Sequence, residues 1–465
     1  MQPLFINDAV VFGLLMAILG LVFYTEHLPS KFWKGFYTIV PSLLLCYFLP
    51  ALLHYPLGWI ASEYFLEDPL KQLLEQRNIA VPADLANMSF ESIKLWLEQK
   101  GILASDYKTC IGKSQLYAMA SKYLLPACLV LLCISVDFKG LLRLGPKALI
   151  MFFAGTFGVI IGGPIALLTV TYVFPNLIQA SSDDLWRGLS TIAGSWIGGG
   201  PNQAAMKEIN QVGDNIFAAM LVVDVIVANI WMGVLLYGAG RAKQIDKWVG
   251  ADNSSIEKLQ NEVAQFRDKV KKMPSSYTMI TMGALIFAVV GVSHALTDFV
   301  VPSLKPYEPS LIQYGLSTLN SEFFWLICIA TILGIFLSFT PAKQLEGVGA
   351  SSWGSVFIYI LVATIGMKMN LGEVWKNMGL FAVGIIWMSI HAVVLIVVAY
   401  IIKAPFFFLA VGSQANIGGA ASAPIVASAF NPALAPVGVL LAVLGYAVGT
   451  YGALISGYIM QWIVQ

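Results

Sequence analysis

The chain has 465 residues, 58% of them hydrophobic and 11% charged, with a net charge of +1 and a mean hydropathy of +0.76. Soluble domains carry about 25% charged residues, so this composition excludes a water-soluble fold and points to a polytopic membrane protein. The near-zero charge implies no bulk polyanion partner, and no basic stripe suggests nucleic acid. Cys46, Cys110, Cys128, Cys133 and Cys328 form neither a CxxC motif nor a disulfide framework. They read as small buried packing residues.

Apolar segments fall at roughly 9–24, 36–60, 117–136, 148–173, 188–206, 216–238, 277–301, 323–339, 352–367, 379–402, 405–429 and 434–463. Residues 1–8 lack a basic n-region, so the first segment is expected to be a retained helix. Residues 61–116 form an extramembrane piece. Leu85, Met88, Ile93, Trp96 and Leu97 predict an amphipathic helix between Asp84 and Lys100. A polar stretch over 241–276 divides the chain into halves of six segments. In it, Ile256, Leu259, Val263, Phe266 and Val270 predict a short amphipathic helix before Pro274. The halves share landmarks: the turns Asp137-Phe138-Lys139 and Lys368-Met369-Asn370, and the glycines Gly145 and Gly379 that open the next segment.

In each half the fifth segment is interrupted by glycines. The first interruption reads Gly194-Ser195-Trp196-Ile197-Gly198-Gly199-Gly200-Pro201-Asn202-Gln203. The second reads Gly412-Ser413-Gln414-Ala415-Asn416-Ile417-Gly418-Gly419-Ala420-Ala421-Ser422. Matched broken segments, one per half, point to a transporter binding site, because unwound backbone at membrane depth survives only where protein buries it or a cavity receives it. Close packing by small residues is the competing explanation. The candidate substrate-binding residues are Ser195, Gly198, Gly199, Gly200, Asn202, Gln203, Ser413, Gln414, Asn416, Gly418, Gly419 and Ser422. Half-helix N-termini at such tips favour an anionic solute.

Lys and Arg bear on topology. If every segment crosses fully, the two sides carry similar numbers. If the fifth and eleventh segments are re-entrant hairpins, fifteen basic residues share one side. Lys31, Lys139, Arg241 and Lys403 are among them, against Arg187, Lys207, Lys305, Lys368 and Lys376 opposite. The positive-inside rule favours the hairpins, ten full crossings and both termini outside. Five crossings per half make the repeats inverted. The predicted fold is therefore an all-α integral membrane protein of two inverted repeats, each about five transmembrane helices plus a Gly-rich re-entrant hairpin or broken helix.

Asp224 lies near the centre of the sixth segment. A central Asp costs about 2.5–3.5 kcal/mol to insert, which makes it a functional candidate by default. It is the candidate Na⁺ ligand or proton acceptor; a structural Asp bonded to nearby backbone is the competing reading. Asn229, five positions on, sits about 140° away around a helix, and His391 is a candidate proton relay or a neutral packing residue. These three are the ion-coupling candidates. Gly162-Gly163-Pro164 reads as a kink or packing notch, and Asp214-Asn215 as a helix cap. No P-loop, HExxH or GxSxG is present, and His27, His54, His294 and His391 are scattered. No enzyme, catalytic residue or cofactor is expected beyond Na⁺ or H⁺ as coupling ion.

Tyr117-Ala118-Met119-Ala120-Ser121-Lys122-Tyr123-Leu124-Leu125-Pro126, with Asp137-Phe138-Lys139 and Arg143-Leu144-Gly145-Pro146, resemble the DUF819 family of membrane proteins. More distantly, the paired Gly-Gly segments look like those of sodium-coupled citrate and glutamate symporters, which belong with sodium/proton antiporters in a broad superfamily. That resemblance implies a transport domain moving against a scaffold, in a homodimer, within a bacterial inner membrane. The resulting expectation is an ion-coupled secondary transporter of a small anionic organic solute: an organic acid, amino acid or small peptide. The alternative is a non-transporting sensor or accessory subunit of the same ancestry, using the 61–116 piece to bind a partner.

Overall fold

The computed structural model describes residues 3–40, 42–82, 85, 88, 90–135, 144–174, 178, 180–251, 275–313, 317–369, 379–431 and 434–464. The principal elements in chain order are α1 (Asp8–Glu26), α2 (Lys31–Ile39), α3 (Ser42–His54), β1 (Glu63–Phe65), α4 (Glu67–Gln76), α5 (Phe90–Gln99) and β2 (Ile111–Lys113). Then come α6 (Leu116–Ile134), α7 (Pro146–Val173), α8 (Ser182–Gly198), α9 (Gly200–Ile209), α10 (Asp214–Ala239) and α11 (Ala242–Val249). The last seven are α12 (Ser276–Leu304), α13 (Glu322–Ser338), α14 (Ala350–Gly366), α15 (Leu380–Ile402), α16 (Phe406–Ile417), α17 (Gly419–Phe430) and α18 (Ala435–Val464).

Each predicted apolar segment coincides with a helix or a helix pair. Among the described residues, seven helices are long and apolar enough to cross a membrane, and two bent pairs pass the same test jointly. Their outward faces are oily: α12 exposes Ile280, Phe287, Val292, Leu296 and Phe299, and α15 exposes Ile385, Val393, Ile396 and Val397. Such faces suit hydrocarbon, not water. Helix starts follow local chemistry. The hydroxyls of Ser181, Ser275 and Ser321 accept N–H groups at the starts of α8, α12 and α13. Gly145 and Gly379 stand just before α7 and α15, as their sequence positions predict. The amphipathic helix predicted around Ile256–Val270 and the turn Asp137-Phe138-Lys139 lie outside the described residues.

The chain forms two compact units. The first comprises Met1–Lys122 and Tyr359–Leu371. Its 61–116 piece is a small cap with its own core of Phe65, Leu70, Leu74, Ile93, Leu97, Tyr107 and Cys110. The cap is not purely helical. β1 and β2 pair antiparallel, with Tyr64 opposite Gly112 and Phe65 opposite Ile111, and three-residue strands are too short to show a period-two pattern. Helix α5 begins at Phe90.

The second unit comprises Tyr123–Ile358 and Gly372–Gln465. In it, Val130, Ile134, Met282, Ile286 and Ala330 build one apolar cluster from α6, α12 and α13. Helices α7 and α15 pack closely through glycines. A Cβ on Gly162 or Gly163 would lie 2.6 Å from the Trp387 ring, and Trp387 Nε1 donates to the Val159 carbonyl at 2.8 Å. Gly162-Gly163-Pro164 is therefore a packing notch for a tryptophan. Gly213, not Asp214, occupies the cap position of α10. Asp214 instead pairs with the buried Lys207 at 2.8 Å, which corrects the cap reading: a buried ammonium requires a charged partner more strongly than a helix end requires a side-chain cap.

Candidate functional site

Both glycine-rich interruptions are breaks at which a helix folds back on itself. In the first, α8 and α9 run antiparallel. Asn210 Nδ2 donates to Ser190 Oγ at 2.7 Å, and Arg187 donates to the Asn210 carbonyl at 2.6 Å. In the second, the Phe407 and Phe430 rings lie 5.3 Å apart at the open end of α16–α17. Gln414 Nε2 donates to Ser422 Oγ at 2.7 Å near its tip.

The two tips meet. Gly199 has φ +75° and Gly419 φ +59°, a half of backbone space that side-chain-bearing residues seldom enter. A Cβ built on Gly419 would lie 3.9 Å from Gly199 Cα and 4.0 Å from Tyr446 Oη. Helix α18 underlies both tips, with the Gly445 Cβ position 2.7 Å from the Ile197 carbonyl and 3.5 Å from that of Ala415. The N-termini of α9 and α17 thus converge, and neither carries a side-chain cap. Two helix N-termini at one place give this junction a positive electrostatic character.

Two polar clusters hold the pairs. Asp224, 5% exposed, accepts from Ser195 Oγ at 2.7 Å and Gln203 Nε2 at 2.9 Å on Oδ2, and from Trp196 Nε1 at 2.6 Å on Oδ1. Three neutral donors from the first pair thus satisfy a carboxylate that has no ion-pair partner among the described residues. The second cluster is a chain of hydrogen bonds. Trp231 Nε1 donates to Ser413 Oγ at 2.8 Å, Ser413 Oγ and His391 Nε2 share a hydrogen bond of 2.9 Å, and His391 Nδ1 donates to the Gly155 carbonyl at 3.0 Å. The carbonyl can only accept, so Nδ1 carries a proton. Asp224 and Trp231 both lie on α10, so that helix ties the two pairs together.

A similar arrangement is built around an asparagine in each pair. Thr450 Oγ1 donates to Asn202 Oδ1 at 2.7 Å, while Asn202 Nδ2 donates to the Gly198 carbonyl at 2.8 Å. Correspondingly, Thr156 Oγ1 donates to Asn416 Oδ1 at 2.8 Å, and Asn416 Nδ2 donates to the Phe152 and Gly412 carbonyls at 2.9 and 3.0 Å. Gln414 differs. It is 2% exposed, yet its Oε1 has no hydrogen-bond partner among the described residues, an arrangement that costs about 1–3 kcal/mol.

Ser195, Gly198, Gly199, Gly200, Asn202 and Gln203 thus gather on the first pair, and Ser413, Gln414, Asn416, Gly418, Gly419 and Ser422 on the second. Asp224 joins the first cluster and His391 the second. Asn229 joins neither; its Nδ2 donates to the Val225 carbonyl of its own helix at 2.8 Å. Sequence reasoning missed Trp196, Trp231, Thr156 and Thr450. Trp196, the one aromatic residue of the first glycine-rich interruption, was the available signal. Among the described residues no three His, Cys, Asp or Glu converge as metal ligands.

The family described as "Protein of unknown function (DUF819)" matches residues 101–463, a span containing every residue of both helix pairs. The "Uncharacterized membrane protein YjcL" of Bacillus subtilis (strain 168) is 24% identical over 353 residues, covering 73% of this chain and 82% of that protein. With its long apolar helices, the chain is an integral membrane protein, and it belongs to the DUF819 family.

Proposed function

We propose that this protein is a secondary active transporter that carries a small organic solute across the membrane by alternating access, driven by a Na⁺ or H⁺ gradient. The observation that carries this reading is the meeting of two folded-back helix pairs at Gly199 and Gly419, with the polar groups of both pairs buried close by. In this reading the pairs are re-entrant hairpins of two inverted repeats with ten full crossings. Both termini lie outside a bacterial inner membrane, and the hairpin-bearing core moves like an elevator against a scaffold in a homodimer. The facing N-termini of α9 and α17 favour an anionic group on the solute. Gln414 Oε1 favours a donor on the same molecule, so amino acids and short peptides fit better than plain organic acids.

Asp224 is the proposed coupling residue. A proton binding there would turn Ser195 from donor to acceptor or displace one of the two N–H donors, and Na⁺ would draw Ser195 Oγ or the Gln203 amide oxygen toward the ion. Either event loosens the first hairpin where it meets the second. The test is a thermal-stability screen of purified protein against organic acids, amino acids and small peptides, across pH and with Na⁺ or Li⁺, beside Asp224→Asn. Ligand binding to the folded state raises the melting temperature. The proposal predicts a solute-dependent rise that needs Na⁺ or low pH and is lost in the variant. A well-folded sample giving no rise under any condition would count against it.

A further inference from the structure

One end of the second unit brings together the start of α7, the end of α10, helix α11, the end of α15 and the start of α16. Lys147 Nζ donates to the Lys403 carbonyl at 3.0 Å, and the rings of Trp248 and Tyr400 lie 6.0 Å apart. Asp246 on α11 accepts from the Phe406 backbone N–H at 2.7 Å. The end carries Lys147, Arg241, Lys243, Lys247 and Lys403. Among the described residues of this end, 144–151, 237–251 and 398–408, the single acid is Asp246, which is buried and engaged with the helix start.

Large aromatic side chains stand out among these cations. Tyr237, Trp248 and Tyr400 are 63%, 73% and 59% exposed, and the Arg241 guanidinium lies 4.4 Å over the Tyr237 ring. This patch continues the oily flanks of two helices. Ile226, Ile230 and Val234 run up α10 to Tyr237, and Val393, Ile396 and Val397 run up α15 to Tyr400. Aromatic rings at the end of a lipid-facing stripe belong at headgroup depth, and cations there attract anionic headgroups. A soluble partner accounts for the charge but not for continuity with the apolar flanks.

We propose that α11, with Lys147, Arg241, Lys243, Lys247 and Lys403 around it, is a docking site for anionic phospholipid headgroups, and that Asp246 links this site to the second helix pair. Asp246 provides the negative charge at the N-terminus of α16. The other end of α16 is the tip next to Gly419, so lipid holding α11 in place also holds that arm. The inference does not depend on transport.

The test uses the full-length protein. Native mass spectrometry compares retention of phosphatidylglycerol and phosphatidylcholine, and hydrogen exchange is followed at Phe406 in nanodiscs of phosphatidylcholine with or without phosphatidylglycerol. Phosphatidylglycerol is expected to bind more tightly and to slow exchange at Phe406 several-fold. The triple variant Arg241→Gln, Lys243→Gln, Lys247→Gln should weaken phosphatidylglycerol binding on the order of a hundredfold. Asp246→Ala should keep the lipid preference but lose the protection at Phe406. Equal retention of the two lipids by wild-type protein overturns the docking site. Lipid-dependent protection persisting in Asp246→Ala overturns the link.

Discussion

Asp224 is held by three donors, and the tryptophan is the one with no substitute. Trp196→Phe keeps an aromatic ring against Trp387, 5.2 Å away, but leaves Asp224 Oδ1 without its donor. The expected loss is about 2 kcal/mol of stability, read as a lower unfolding midpoint; an unchanged midpoint would contradict the bond's role. Gly199 is constrained differently. It combines φ +75° with ψ −173°, a region that is essentially glycine's alone. A Cβ there meets nothing nearer than 3.7 Å, so Gly199→Ala should destabilise by about 1–3 kcal/mol through backbone strain and not through a clash. Asp224 and His391 were legible in the sequence because each is an isolated polar residue in an apolar run. Thr156, Thr450 and Trp231 were not, since threonine and tryptophan in such runs look like packing residues until a partner from a distant segment is placed beside them.

Among elements, α18 is the most demanding. A Cβ on Gly445 would lie 2.7 Å from the Ile197 carbonyl, and one on Gly449 2.7 Å from the Asn202 amide. Gly445→Ala or Gly449→Ala should therefore cost about 1–3 kcal/mol by overpacking. Gly283 and Gly291 on α12 meet nothing within 4 Å. Alanine there should be neutral or stabilising by up to about 1 kcal/mol. Thermal unfolding of the four variants separates the two groups, and equal effects would refute the packing argument. The helices were legible because long apolar runs are the strongest sequence signal, and both helix breaks because glycine clusters interrupt those runs. The cap was legible only as amphipathic helix. Its strands pair residues 63–65 with 111–113, a separation no local pattern reveals.

At the scale of the whole molecule, topology needs an accessible reporter on the cap. Cys110 is a natural choice from its loop position, but the structure buries it at 2% exposure, and that burial pushes its thiol pKa up, which lowers its thiolate fraction at neutral pH. Cys110 is therefore expected to resist an impermeant maleimide until the protein unfolds. Leu103, 68% exposed, is the better position. Leu103→Cys with Cys110→Ser should label in intact cells if the cap faces outward, and labelling only after lysis would reverse the proposed orientation. In the proposed mechanism the meeting helix pairs carry solute across the membrane in step with an ion at Asp224. The most direct measurement is solute uptake into proteoliposomes under an imposed pH or Na⁺ gradient, comparing wild type with Asp224→Asn, using the solute that best stabilises the purified protein. The account predicts gradient-driven accumulation by wild type and none by the variant. Solute binding without any flux in either would contradict transport and make the protein a sensor.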